Sequence, residues 1–145
     1  FNVIPQIDKF MDNGYTKEEM KMVWETKKIL DNNIEVNPTT VRVPVFFGHS
    51  EAVHLELEKK ITAKEVKNIL SSERSGVILV DEHKDGGYPC AANECEDSND
   101  VFVGRIREDI STKYGINMWV VSNNIRKGAA YNSVQIAELL IRDYL

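Results

Sequence analysis

Between residues 41 and 58 the sequence alternates twice. Val41, Val43, Val45 and Phe47 interleave with Arg42, Pro44 and Phe46, and Val53, Leu55 and Leu57 interleave with His54, Glu56 and Glu58. A period of two sends successive side chains to opposite faces, so each run predicts a strand with one face on a core and the other in water. Residues 77–80 form a short, continuously apolar run of the kind expected of a central strand. Residues 101–107 and 116–121 read as two more strands, making five. Thr16 with Glu19, and Thr62 with Glu65, each have the spacing of a capping box, in which a hydroxyl and a carboxylate satisfy each other's free amides at a helix start. The first helix should run to 31–33 with Met20, Met22, Val23, Trp24, Ile29 and Leu30 as its buried stripe, and the second should close near 71–72. A third, rich in apolar surface, follows Asn132. Strands outnumber helices and do not alternate with them, which predicts an α+β fold: a mixed β-sheet covered by helices.

Arg42 lies on the outward face of its run, and Gly48 breaks that run so that His49 is presented at a bend. A guanidinium suits bidentate capture of a carboxylate, and imidazole exchanges protons near neutral pH. Together they suggest an active site for an anionic substrate. Each residue type also has a commoner role, as a solvated edge arginine or a turn histidine, and the spacing alone defines no mechanism. Glu18 and Lys21 fall one helical turn apart, on one face, where a plain surface ion pair is the ordinary reading.

Several function classes are disfavoured. The formal charge is −5, with basic and acidic residues interspersed and no basic run to neutralise a phosphate backbone, so no nucleic-acid partner is expected. No apolar run approaches a membrane span and no signal-peptide pattern opens the chain, so a cytoplasmic protein is expected. Cys90 and Cys95 are too few for a disulfide framework and lack the spacing of a zinc or redox pair, so they read as reduced thiols. The stretch 81–100 reads as a long solvated loop, and its acidic group at Glu94, Glu96 and Asp97 lacks the spacing of a calcium loop, so no metal is expected. His54 reads as a surface residue. No glycine-rich dinucleotide fingerprint follows any strand. The apolar opening at Phe1, without an initiator methionine, looks cut from something longer.

The words themselves add to this. Arg42-Val-Pro-Val-Phe-Phe-Gly-His-Ser50 resembles the signature of the aspartate-semialdehyde dehydrogenase family. So, in the same order, do Asn2-Val-Ile-Pro-Gln-Ile-Asp8, Glu18-Glu-Met-Lys21 with Glu25-Thr-Lys-Lys28, and Arg126-Lys-Gly-Ala-Ala130 with Gln135-Ile-Ala-Glu138. The resemblance spans nearly all of this chain but only the second part of the family's length.

That resemblance implies reduction of L-4-aspartyl phosphate by NADPH to aspartate 4-semialdehyde and phosphate through a cysteine thioester, in lysine, threonine, methionine and diaminopimelate biosynthesis. Arg42 then matches the arginine that binds the substrate's α-carboxylate, and His49 the general acid/base. Glu18 matches the residue that meets the amino group, Lys21 the one that meets phosphate, and Asn124 an amide near the nicotinamide. Residues 1–122 would be an incomplete substrate-binding and dimerisation domain. Residues 123–145 would carry a C-terminal helix that returns to a missing cofactor domain. The glycine-rich loop and the Asn-Cys word of the family are not in this sequence, and neither Cys90 nor Cys95 matches the nucleophile, so the segment alone is expected to be inactive. It would form a homodimer. The rival reading is a freestanding dimeric binding module for an amino-acid or acyl-phosphate ligand. A reductase for an N-acetylated acyl phosphate fits less well, because Glu18 would have no ammonium to pair with.

Overall fold

The structure, a computed structural model, describes residues 1–72 and 76–145 and divides into two compact units, Phe1–Pro44 and Val45–Leu145.

In the first unit, helix α1 covers Lys17–Ile29. Its capping box forms as the sequence predicts. The Glu19 amide donates to the Thr16 hydroxyl at 3.3 Å, and the Thr16 amide donates to the Glu19 carboxylate at 2.8 Å. Thr16 and Glu19 are both buried, so the cap lies inside the unit rather than on its rim. The expected apolar stripe is covered only in part: Met20 and Val23 are half-buried, whereas Met22, Trp24, Ile29 and Leu30 stay exposed, the last two above 70%.

The expected strand through 41–47 does not form. Arg42 makes one isolated antiparallel bridge to Ile4, with amide-to-carbonyl bonds of 2.8 and 3.0 Å, and the rest of the run is irregular. The physical reason is Pro44, which has no amide to donate to a ladder and restricts Val43 before it. The residues assigned to an inward face, Val41, Val43, Val45 and Phe47, are all exposed.

The second unit holds a four-stranded mixed sheet in the order β1-β4-β3-β2, with β1 at His49–Glu56, β2 at Val77–Leu79, β3 at Val101–Glu108 and β4 at Gly115–Ser122. β1–β4 and β4–β3 are antiparallel and β3–β2 is parallel. Two positions differ from the sequence expectation. β1 starts at His49 instead of 52, so Gly48 precedes a strand rather than ending one. β2 lies at an edge, not in the centre: in the sheet of the described residues it stands last, beside β3.

Alternation decides the two faces. Val66 of helix α2 (Ala63–Leu70) packs with Val103, Ile106 and Ile116 on one face, where each buried aliphatic side chain contributes roughly 1.5–3 kcal/mol. The intervening residues Phe102, Trp119 and Val121 turn the other way, against Ala91 and Cys95. Ala91 opens helix α3 (Ala91–Glu94), a short turn inside the stretch read as a solvated loop. That stretch is therefore partly core: Pro89, Ala91 and Cys95 are buried.

β3 is interrupted by a bulge between Gly104 and Arg107, where Arg105 has a left-handed φ of 56°. Asp81 supports it by accepting the Arg105 amide at 2.7 Å while pairing with Lys67 of α2 at 2.8 Å. The chain closes with a π-helical turn, Arg126–Ala130, running into helix α4, Tyr131–Tyr144. No residue of α4 is buried, although Val134, Ile136, Leu139, Leu140 and Ile141 are apolar. Among the described residues no helix is long and apolar enough to cross a membrane.

Candidate functional site

In the first unit the residues singled out by sequence share one frame. Glu18 and Lys21 lie on the first turn of α1, where the Lys21 ammonium sits 3.1 Å from the Glu18 carboxylate and both side chains are partly exposed. The hydrogen bond and charge of Glu18 raise the Lys21 pKa, so its positive charge is secure. Arg42 is fixed through its backbone by the Ile4 bridge, and its side chain is exposed. A residue read only as a helix cap joins these parts: the second oxygen of Glu19 accepts the Thr40 amide at 2.9 Å, two residues before Arg42. The amides of Thr16 and Thr40, each donating to its carboxylate, lower the Glu19 pKa and keep it ionised. Its position three residues after Thr16 marked the cap, but the bond across 21 residues has no local signal.

The second unit positions His49 and Asn124. His49 opens β1, opposite Ser122 of β4, with its side chain exposed. Gly48 before it has φ of 83°, a left-handed conformation that glycine adopts without cost to a side chain. The Asn124 carboxamide oxygen accepts the Gly48 amide at 3.2 Å, so the two sequence-predicted residues are linked through one backbone group. With that oxygen occupied, the Asn124 amino group is left as a donor. Asn123, which sequence reasoning passed over, is buried and bonded on both ends: its amino group donates to the Cys95 carbonyl at 2.5 Å, and its oxygen accepts the amides of Ile125 and Arg126 at 2.9 Å each.

Cys95 is fully buried, and burial first, then the charge of Glu94, pushes its thiol pKa up. A neutral, enclosed thiol is a packing group rather than a nucleophile. His54, read as a surface residue, is half exposed and lies 3.2 Å from both the Asn117 carboxamide oxygen and the Asp109 carboxylate. Among the described residues no three His, Cys, Asp or Glu side chains converge as a metal site. An open groove beside α2 is lined by Leu57, Ile61, Glu65 and Ile69, and none of the candidate residues borders it.

A family model described as semialdehyde dehydrogenase, dimerisation domain, matches residues 1–127. The aspartate-semialdehyde dehydrogenase of Shewanella violacea is 63% identical over 145 residues, covering 99% of this chain and 42% of the relative. The crystal structure of aspartate semialdehyde dehydrogenase II from Vibrio cholerae superposes with a TM-score of 0.92 at 57% identity, over 100% of this chain and 42% of that one. The same enzyme complexed with ASA gives 0.91 at 56% identity, over 99% of this chain and 42% of that one. The enzyme with NADP from Candida albicans gives 0.74 at 28% identity, over 96% and 44%. The chain thus spans about two fifths of the length of the curated relatives it matches.

Proposed function

The chain belongs to the semialdehyde dehydrogenase family through its dimerisation domain, and on that premise we propose that it supplies the substrate-binding and dimerisation part of an NADPH-dependent aspartate-semialdehyde dehydrogenase. The observation that carries this reading is the likeness of 0.91 over 99% of the chain to a relative solved with ASA, which we read as aspartate semialdehyde. The whole enzyme would reduce L-4-aspartyl phosphate to the semialdehyde and phosphate in the cytoplasm, in lysine, threonine, methionine and diaminopimelate biosynthesis.

NADPH, when bound to the whole enzyme, supplies the hydride. In this chain Arg42 binds the substrate α-carboxylate, a planar two-point task suited to guanidinium. Glu18 meets the ammonium group and Lys21 the phosphate. Their mutual ion pair at 3.1 Å supports this, because it holds both charges in place until a zwitterionic phosphate ligand offers each a partner. His49 takes the proton from the thiol that attacks the acyl phosphate, and later moves a proton as the thiohemiacetal forms and collapses. That thiol comes from chain outside this segment, since Cys95 is enclosed and neither it nor Cys90 stands in the Asn-Cys word of the family, so the segment alone is inactive. The amino group of Asn124, which is a donor while its oxygen accepts the Gly48 amide, suits the carboxamide oxygen of a nicotinamide.

Residues 1–122 form the substrate-binding and dimerisation domain, and residues 123–145 the segment that returns to the cofactor domain. The uncovered apolar side chains of α4 support that return. The sheet provides the homodimer interface. The test is phosphate-dependent reduction of NADP⁺ by aspartate semialdehyde in the full-length polypeptide. Activity with the N-acetylated semialdehyde instead, and none with the free amine, would overturn the assignment of Glu18.

A further inference from the structure

We propose that Asn123 and Cys95 are positioning residues for His49, acting through Gly48. The inference rests on the proposed role of His49 and names the parts that aim it.

The Gly48–His49 junction is held from two sides. On one, Asn124, two residues beyond β4, accepts the Gly48 amide. On the other, Cys95 packs so tightly that a Cβ built on Gly48 would lie 2.5 Å from the Cys95 sulfur and 2.7 Å from its Cβ. The thiol therefore fills the space a side chain at residue 48 would take. Cys95 lies just beyond the end of α3, and its own backbone is fixed by Asn123, whose amino group bonds the Cys95 carbonyl at 2.5 Å and also reaches the Glu96 carbonyl at 3.4 Å. Asn123 is in turn locked by the two amides that open the π-helical turn.

Consecutive asparagines thus grip both sides of one glycine. The β1–β4 ladder begins at the next residue, where His49 pairs with Ser122. A left-handed glycine is the most pliable kind of joint, and here it immediately precedes a residue whose side chain must meet reacting atoms. Locking the joint fixes the direction in which the imidazole leaves the backbone. A misplacement of about 1 Å in such a group costs up to about a hundredfold in rate.

The test uses the full-length enzyme with Asn123→Asp, which keeps the shape and the acceptor but loses the donor to the Cys95 carbonyl, and Cys95→Ala, which removes the sulfur beside Gly48. Each is made alone and with His49→Asn. Each single variant is expected to lower kcat by about tenfold or more while leaving KM for aspartate semialdehyde and NADP⁺ within about twofold. In the His49→Asn background the same changes should cost almost nothing further, because residues that act as a unit are not additive. A loss that persists undiminished in that background would mean that the pair serves only stability, and so would unchanged kcat in both folded single variants; either overturns the proposal. If Asn123→Asp does not fold, Cys95→Ala carries the comparison alone. A fully active His49→Asn single variant would instead remove the function assigned to His49, and the proposal with it.

Discussion

Glu19 accepts the Thr16 amide at 2.8 Å with one carboxylate oxygen and the Thr40 amide at 2.9 Å with the other. One buried side chain therefore both starts α1 and ties to it the segment leading to Arg42. The three proposed ligand-binding residues of that unit, Glu18, Lys21 and Arg42, share this anchor, and the Ile4 bridge holds Arg42 as well.

Thr16→Ala removes the hydroxyl half of the cap and should destabilise the full-length protein by about 1 kcal/mol, read as a lower midpoint in urea unfolding. Glu19→Gln places an amino group against one of two donors and should also raise KM for aspartate semialdehyde. A Glu19→Gln variant with unchanged KM would separate the anchor from the site.

Arg42→Leu should raise KM and lower kcat together. Arg42→Lys should recover little, because an ammonium keeps the charge but loses the fork. Lys21→Ala should raise KM for phosphate in the reverse assay more than KM for the semialdehyde, and Glu18→Gln should do the opposite. Equal effects on both constants would contradict the division of labour between them.

Gly48→Ala meets Cys95 and must hold a left-handed backbone, which alone costs roughly 1–2 kcal/mol. Thermal unfolding should show the loss, with kcat falling as well. A variant as stable and active as the parent would contradict the packing described at this joint.

The elements that were legible in the sequence are those fixed by neighbours in the chain. Both capping boxes form at the residues expected, since a cap involves only four positions and their chemistry. The strands through 101–107 and 116–121 were found within a residue or two, because both of their faces pack on apolar neighbours and their runs are correspondingly apolar. The run 41–47 misled for the opposite reason: it alternates, but Pro44 cannot join a ladder and its valines remain exposed. The edge position of β2 depends on which strand pairs with it, a long-range fact with no local trace. At the site, the residue types of Glu18, Lys21, Arg42, His49 and Asn124 could be read from words, whereas Glu19, Asn123 and Cys95 act through bonds spanning 21 and 28 residues or through close packing, which no motif records.

Asp109 gives a pH dependence. The Ser111 hydroxyl first, then the Asn117 amino group and the amides of Ser111 and Thr112, hold its carboxyl well below the usual carboxylate range, and Glu19 is lowered as well. A depressed folded-state pKa contributes stability that is complete above the unfolded value near about 4 and is lost as pH falls through the folded value. The melting temperature should therefore drop as pH falls below about 4, and drop less steeply in Asp109→Asn. Parallel curves for the two proteins would remove Asp109 from the acid response.

The central claim is that this segment carries the proton-transfer residue of an aspartate-semialdehyde dehydrogenase. The most direct measurement is kcat for phosphate-dependent NADP⁺ reduction by aspartate semialdehyde, in the full-length polypeptide and in its His49→Asn variant. The account predicts an active parent and a variant slower by about 10²-fold or more, with KM little changed. Normal turnover in the variant would contradict it.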